Sequence, residues 1–181
     1  MSTKVSINVS EGVSVEIWFA LSQFLCREAA LLDSGREEEW LKLLAPEFHY
    51  RVPLRSVRHR KDGWNAQFND FGGHIDDDYG AVALRVARLG TGGAYAEDPV
   101  SRSRHHITNI QVQSEAQEGC YRVECNVLLT RRNGQETDDM KVISAHRVDR
   151  VCRTEAGWLL VERTVYLDHT VLPMNNLAVF I

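Results

Sequence analysis

The sequence predicts an α+β fold in which a cone-like, curled antiparallel sheet wraps helices from the N-terminal half of the chain. Three observations lead to this class. Helical periodicity is confined to the first half, whereas the second half alternates apolar and polar residues with the period of two that is typical of strands. The strand patterns also run for roughly ten to sixteen residues, and strands longer than the usual five or six commonly bend.

The composition indicates a single domain over residues 1–181, with residues 1–12 as a flexible arm. The net charge of −4 argues against a nucleic-acid partner, because nucleic-acid-binding domains usually carry a basic excess. The longest uncharged stretches, residues 17–26 and 170–181, fall short of the ~20 apolar residues of a membrane-spanning helix, so no membrane contact is expected. The first residues lack the apolar run of a secretory signal, which favours a cytoplasmic protein.

Three helices are predicted. The first begins after Ser14, a suitable N-cap, and ends at residues 34–35. A short second helix covers residues 36–44, and a third is capped by Asp78 and ends near residues 91–93. The apolar face predicted for the first helix consists of Val15, Trp18, Phe19, Ser22, Leu25, Cys26, Ala29 and Leu32. The third helix carries Val82, Val86 and Leu89.

Five strands are predicted, with a long irregular segment after the first. The first strand is indicated by alternation of Phe48, Tyr50, Val52 and Leu54. Residues 55–80 lack periodicity and are interpreted as a long interaction loop. The later strands cover residues 104–114, 121–129, 138–153 and 158–168, with a hairpin turn at Asn133 and Gly134. Ile107 is expected on the face opposite Ile110 and Val112.

The four cysteines are predicted to be reduced. Cys26, Cys120, Cys125 and Cys152 form no C-x-x-C motif and have no histidine at zinc-finger spacing. In a reducing cytoplasm they are interpreted as small buried hydrophobic residues, with neither a disulfide nor a structural metal.

No cofactor motif is present in the sequence. It lacks the paired C-x-H and C-x-x-H of a Rieske cluster, the H-E-x-x-H of a zinc protease and the glycine-rich nucleotide motifs. We therefore predict no cofactor-binding or metal-binding residue in this chain.

The histidines leave two interpretations open. Adjacent strand residues point to opposite faces, so His105 and His106 are expected to divide between the inside and the outside of the sheet. The alternative makes one of them a general base or ligand together with His74 or Asp70. His146 is interpreted as a hydrogen-bonded core residue, and nothing is inferred from His59 and His169 near loops.

Two charged runs also permit more than one interpretation. The acidic run Asp76, Asp77 and Asp78 fits a solvated helix N-terminus better than a cation site. A basic cluster fits a surface or subunit contact better than an anion site; its members are Arg55, Arg58, His59, Arg60 and Lys61.

A curled sheet often encloses an apolar pocket, and this raises a separate enzyme hypothesis. Tyr50, Asp70, His105 and Trp64 would form a cofactor-free acid–base site in that pocket. The chain would then be a stand-alone isomerase or dehydratase, or a small-ligand-binding module.

The chain ends on apolar residues, and an exposed segment of this kind would be sticky. Residues 172–181 are expected to dock on the chain's own core or in a subunit interface, with docking within an oligomer favoured. Removing residues 177–181 is expected to weaken folding or assembly.

Four segments resemble the small (β) subunit of bacterial aromatic-ring-hydroxylating dioxygenases. They read EAALLD at 28–33 with EWL and LL at 39–44, RVARL at 85–89, DP and SRSRH at 98–105, and RTVYLD at 163–168 with VLP and NL leading to Phe180. Their order and spacing span residues 13 to 181. The sequence departs from the family at His169, often glutamine there, and in the 55–75 loop.

The resemblance implies a cone of the nuclear-transport-factor-2-like or cystatin-like type and a structural role. It also implies a large α subunit as partner, in an α3β3 hexamer with contacts between β subunits. In this family the α subunit carries the Rieske [2Fe–2S] cluster and the mononuclear Fe(II), and a reductase or ferredoxin acts on it. The whole enzyme adds O2 to an aromatic ring with electrons from NAD(P)H, and the family places no catalytic residue on the β chain.

Overall fold

The computed structural model describes residues 13–57, 59, 61, 63, 67–90, 101–132, 140–173, 177 and 179–181, without the side chains of 69–71 and 90. The arm predicted at residues 1–12 and the turn predicted at Asn133 and Gly134 lie outside this part. The helices are α1 (Val15–Asp33), α2 (Glu37–Trp40), a 3-10 turn (Leu41–Leu43) and α3 (Tyr79–Gly90). The strands are β1 (Leu44–Arg55), β2 (Phe68–Asp78), β3 (Arg102–Ser114), β4 (Cys120–Arg132), β5 (Lys141–Thr154) and β6 (Gly157–Leu167).

The strands form one six-stranded open sheet in the order β2-β1-β6-β5-β4-β3. The predicted α+β class and the curled sheet around N-terminal helices are confirmed. One pairing differs from the prediction: β1 and β6 are parallel, whereas all other neighbours are antiparallel. The chain forms the other strands of the sheet between β1 and β6. The alternation of apolar and polar residues does not encode which strands become neighbours, so it does not predict that this pair is parallel.

Helix α1 packs on the sheet with a face that differs in part from the prediction. Ser14 caps it as expected, accepting a hydrogen bond from the Ile17 backbone N–H at 3.4 Å. The buried residues are Leu21, Ser22, Phe24, Leu25, Glu28, Ala29, Leu31 and Leu32. Val15 and Phe19, predicted to be buried, are 76% and 58% exposed. Apolar residues lie on more than one side of this helix, so periodicity alone did not fix the stripe that faces the sheet.

Strand β2 lies within the segment predicted as a long loop, so the prediction for residues 55–80 was wrong over Phe68–Asp78. Two glycines and four aspartates hide the alternation, and polar residues are tolerated because β2 is an edge strand paired only with β1. The register shifts between Val52 and Pro53. This irregularity turns Pro53 inward and leaves Leu54 40% exposed, which corrects the inward position predicted for Leu54.

A second irregularity, in β3, corrects the face predicted for Ile107. The pairing of β3 with β4 shifts between Thr108 and Gln111, and Asn109 has φ of 56°. The extra residue returns the following side chains to the same face, so Ile107 and Ile110 both pack against the core. Asparagine tolerates this left-handed conformation better than most residues.

The cysteines correct a further prediction, because Cys120 and Cys152 form a disulfide. They are direct partners in the register of β4 and β5, with Cα atoms 4.0 Å apart. Sequence spacing could not reveal this, since the pairing depends on the strand register. Cys125 is buried as predicted, whereas Cys26 is exposed on α1.

Helix α3 follows the prediction. Asp78 caps it by accepting a hydrogen bond from the Ala81 backbone N–H at 2.8 Å, and Val82 and Val86 are buried. Among the helices of the described residues, none is long and apolar enough to cross a membrane.

Candidate functional site

Four buried charged side chains meet between α1 and the sheet, and we call them the ionic cluster: Glu28, Arg147, Asp149 and Arg163. Glu28 projects from the buried face of α1, Arg147 and Asp149 from β5, and Arg163 from β6. Each is 1% exposed. Two guanidinium groups face two carboxylates, so the cluster is formally neutral, which is the arrangement that buried charges require.

Arg163 lies at the centre of the ionic cluster. Its Nε and Nη2 donate to the two carboxylate oxygens of Asp149, each at 2.8 Å. Nη2 also donates to Glu28 Oε2 at 2.7 Å, and Nη1 lies 2.7 Å from Glu28 Oε1. The indole N–H of Trp40 donates to Glu28 Oε1 at 2.9 Å. The Arg163 guanidinium thereby joins α1 to β5 and β6, and the Glu28 carboxylate extends the network to α2.

Arg147 holds the other side of the ionic cluster through charge rather than aligned hydrogen bonds. Its Nη2 lies 3.2 Å from Glu28 Oε2, and its Nε lies 3.2 Å from Asp149 Oδ2. Neither nitrogen has the geometry of a hydrogen bond to these oxygens. Arg147 therefore acts mainly as a counter-charge, and Arg163 supplies the directional contacts.

The cluster keeps the Glu28 carboxylate ionised. Burial by itself raises the pKa of the Glu28 carboxyl, but the charges of Arg163 and Arg147 and hydrogen bonds from Arg163 and Trp40 outweigh burial and lower it to about 2. Burial also opposes the charged form of Arg163, yet Asp149 and Glu28 raise its pKa well above the usual value. Glu28 and Arg163 are therefore a charged pair, and neither donates or accepts a proton near neutral pH.

The end of the chain covers this cluster. Phe180 and Ile181 are 3% and 1% exposed, so these two residues of the apolar tail dock on their own chain. Ile181 donates its backbone N–H to the Tyr50 hydroxyl at 3.2 Å, and Arg163 Nη1 lies 3.4 Å from the Ile181 carbonyl oxygen. The chain's own core is one of the two locations predicted for the tail; the favoured one, docking within an oligomer, stays a prediction.

His105 and Arg85 hold the tail from the other side. His105 Nε2 donates to the Phe180 carbonyl at 2.8 Å, while its Nδ1 lies 2.7 Å from Asp33 Oδ1. Arg85 donates to the Leu177 carbonyl at 2.9 Å and pairs with Asp77 at 2.9 Å.

The proposed acid–base residues are in part brought together and in part undescribed. Tyr50 and His105 both face the tail, and burial raises the pKa of the Tyr50 hydroxyl. Trp64 and the side chain of Asp70 lie outside the described residues. His105 points inward with its side chain 1% exposed and His106 is exposed, which confirms their division between faces. Within the described side chains His105 pairs with Asp33, and the predicted partnership with Asp70 lies outside them.

His146 was wrongly predicted as a core residue. Its side chain is 32% exposed on the outer face, where its Nε2 lies 3.2 Å from Glu124 Oε2. Ile143, Ala145 and Val151 lie on the inward face of β5 instead. His146 lies on the opposite face, because side chains alternate along the strand.

Residues of both charged runs make hydrogen bonds or ion pairs with other residues of the chain. Asp78 caps α3, Asp77 pairs with Arg85, and Asp76 Oδ1 lies 2.6 Å from His49 Nε2. In the basic cluster Arg55 pairs with Asp168 at 3.0 Å, and Arg58 and Arg60 lie outside the described residues. Within the described part of the chain, no group of three or more His, Cys, Asp or Glu side chains is placed to hold a metal ion.

Sequence reasoning missed the ionic cluster, although a signal was present. Arg147 and Asp149 occupy every second position between Ala145 and Val151, so they continue the buried face of β5. A charged pair at core positions of a strand indicates buried counter-charges elsewhere. Glu28 stands seven residues after Leu21 and four before Leu32, on the same helical face.

One known protein family matches most of this chain. The profile of the family described as "Ring hydroxylating beta subunit" matches residues 27–174. The chain belongs to this family. The family prediction from the four segments is therefore confirmed, and the chain is a β subunit of the aromatic ring-hydroxylating dioxygenases.

Individual relatives agree with the family assignment. The β subunit of chlorobenzene dioxygenase from Cupriavidus sp. (strain PS12) is 31% identical over 172 residues, covering 93% of this chain and 90% of the relative. The β subunit of benzene 1,2-dioxygenase from Pseudomonas putida gives the same identity and coverage. A solved naphthalene 1,2-dioxygenase with bound indole has the same fold, with a TM-score of 0.83 at 24% identity over 94% of this chain and 89% of the other.

Proposed function

We propose that this chain is the non-catalytic, structural subunit of a cytoplasmic dioxygenase that adds O2 across an aromatic ring to give a cis-dihydrodiol. The catalytic partner is an α subunit that carries the Rieske cluster and the mononuclear iron, and the two chains form an α3β3 hexamer. Electrons come from NAD(P)H through a reductase, with or without a ferredoxin, and reach the α subunit. The relatives that act on benzene and chlorobenzene support an aromatic substrate.

One observation carries the structural role: the described interior of the cone is filled. Arg147 and Arg163 occupy its middle, and Phe180 and Ile181 cover them, each at most 3% exposed. A substrate could enter only by displacing this packed and charge-paired interior. The full sequence also lacks the paired Cys and His motifs that would hold a Rieske cluster, so the cofactor does not fit this chain.

The stand-alone isomerase or dehydratase is the competing function. It requires an open pocket with free acid and base groups. In the described structure the Tyr50 hydroxyl accepts from Ile181 and His105 donates to Phe180, so both candidates are occupied by the tail. The ligand-binding module meets the same obstacle.

Co-expression with the α subunit encoded in the same genome tests the proposal. We expect the two chains to co-purify at the mass of a hexamer and the α subunit to lose solubility or turnover when this chain is omitted. Elution of this chain as a stable monomer beside a fully active α subunit would contradict it.

The non-catalytic role has its own test in the reconstituted complex. Tyr50→Phe and His105→Gln should leave turnover per assembled α subunit unchanged, because neither side chain touches the reaction. A loss of more than tenfold in turnover at normal assembly, for either variant, would assign chemistry to this chain.

A further inference from the structure

The end of the chain occupies a recess whose walls belong to other elements. We call it the tail recess; Trp40, Tyr50, Arg85, His105 and Arg163 line it. These residues lie on α2, β1, α3, β3 and β6. None belongs to the tail itself, and three of them have contacts outside the tail as well: Arg85 with Asp77, His105 with Asp33 and Arg163 with Glu28.

The recess has an aromatic subsite that is occupied by Phe180. The Phe180 ring centroid lies 4.5 Å from that of Trp40 and 6.2 Å from that of Tyr50, with both pairs tilted. The Arg85 Cζ lies 4.9 Å from the Phe180 centroid, within the range of a cation–π contact. Two aromatic rings and a guanidinium around one ring are a common way of recognising an aromatic group.

The recess also has polar groups aimed at a peptide backbone. His105 Nε2 donates to the Phe180 carbonyl, and the Tyr50 hydroxyl accepts from the Ile181 N–H. His105 is itself fixed by Asp33, whose carboxylate also accepts from the His105 backbone N–H at 3.0 Å. A donor to the carbonyl and an acceptor from the N–H of the one peptide group that joins Phe180 and Ile181, beside an aromatic subsite, fit a short peptide better than an arbitrary apolar filler.

We propose that the tail recess is a binding site for a short peptidyl aromatic group, occupied in this chain by its own residues 180–181 as a built-in ligand. The contacts to the tail are non-covalent and come from five separate elements. A vacated recess should therefore bind an aromatic compound or an acylated Phe-Ile dipeptide supplied in solution. This inference concerns the recess alone and does not rest on the function proposed above.

The first test empties only the aromatic subsite of the full chain. Phe180→Ala should lower the melting temperature, and toluene should raise the melting temperature of this variant but not that of the wild type. Phe19→Ala is the matched control, because Phe19 is 58% exposed and leaves no enclosed space. Equal effects of toluene on both variants, or none on Phe180→Ala, would overturn the aromatic subsite.

The second test asks whether the backbone groups recognise a peptide. In a chain lacking residues 180–181, N-acetyl-Phe-Ile should raise the melting temperature, and N-acetyl-Ala-Ile should do so much less. Adding His105→Leu should weaken dipeptide binding about tenfold, the effect of losing one strong hydrogen bond. The same substitution should leave toluene binding to Phe180→Ala unchanged.

Loss of folding in these variants is also informative. If either variant is unfolded after purification, refolding by dilution is followed by circular dichroism with and without toluene or the dipeptide. Recovery of the native signal with the ligand alone supports the proposal. Failure to recover in every case overturns it, because the walls of the recess would then depend on the covalent tail.

Discussion

Glu28 is the residue on which the interior depends most directly. Its carboxylate accepts from Arg163 and Trp40 and faces Arg147, so it neutralises charge contributed by two strands. Replacing a whole buried ion cluster with apolar groups is often neutral, but removing one partner leaves an uncompensated charge. Removing Glu28 alone should therefore lower the free energy of unfolding by more than replacing the whole cluster with apolar side chains would.

Glu28→Gln should lower the free energy of unfolding at pH 7 by about 3–5 kcal/mol, because it leaves the cluster with an unpaired positive charge. The pKa of about 2 in the folded state lies below the ordinary value of 4.5, so ionised Glu28 stabilises the fold above pH 4.5. This contribution is lost as the pH falls towards 2, and the difference between wild type and variant should shrink over that range.

Urea unfolding between pH 7 and pH 2 measures this difference. Glu155→Gln, at an exposed position in the turn between β5 and β6, is the control and should behave like the wild type near neutral pH. A gap between wild type and Glu28→Gln that stays constant down to pH 2 would contradict the assignment.

The cysteines give a second prediction at this scale. In the unreduced native chain, iodoacetamide should modify Cys26 alone, because Cys125 is buried and burial raises the pKa of its thiol. Cys125 should react after unfolding, and Cys120 and Cys152 only after unfolding with reduction. Mass spectrometry of the labelled peptides measures the modification of all four cysteines. Labelling of Cys120 in the unfolded but unreduced chain would show that the disulfide is absent.

At the scale of elements, local irregularities set which side chains face the core. The shift after Val52 exchanges the roles of Pro53 and Leu54, and the one at Asn109 brings Ile107 inward. Both lie in the outer part of the sheet, where β1 meets β2 and β3 meets β4. Bulges bend a sheet, and both lie in strands that contact a helix: β1 and β2 contact α3, and β3 contacts α1.

Gly73, next to the first of these irregularities, should tolerate no side chain. A Cβ there would lie 2.7 Å from the Val52 carbonyl oxygen and 3.0 Å from that of Ile75. Gly73→Ala should therefore lower the free energy of unfolding by about 1–3 kcal/mol. Gly72→Ala is the matched control, because no atom lies within 4 Å of its Cβ position. Equal midpoints for the two variants in urea would contradict this register.

The elements also show what can be inferred from sequence. Helix α3 and strand β4 were predictable because their apolar residues follow one period from end to end. Strand β2 was missed because its polar residues sit at an edge, where only one neighbour constrains them. The faces of Leu54 and Ile107 were missed because a bulge depends on the partner strand, which a local pattern does not contain. The disulfide and the ionic cluster were missed for the same reason.

At the scale of the whole molecule, the residues that carry the family resemblance are those that hold the interior together. Glu28 and Asp33 come from the first segment, Arg85 from the second, His105 from the third, and Arg163 with Phe180 from the fourth. Their contacts join helices α1 and α3 to strands β3 and β6 and to the tail. The segments are therefore distant in sequence but form one connected set in space.

Removal of residues 177–181 should consequently destabilise the whole chain and not only its end. Burial of Phe180 and Ile181 contributes about 1.5–3 kcal/mol each, and the loss leaves His105 and Arg85 without their carbonyl partners. Urea unfolding followed by circular dichroism should show a lower midpoint in one cooperative transition. An unchanged midpoint and oligomer size would contradict a role of the tail in folding or assembly.

The contact between Glu28 on α1 and Arg163 on β6 has a consequence for how the chain folds during its synthesis. Ribosomes release residues in order, and Glu28 emerges 135 residues before Arg163. At about 5–20 residues per second, Glu28 waits roughly 7 to 27 seconds for its principal counter-ion. The ionic cluster therefore cannot form during that interval, and β6 enters the sheet last, between β1 and β5.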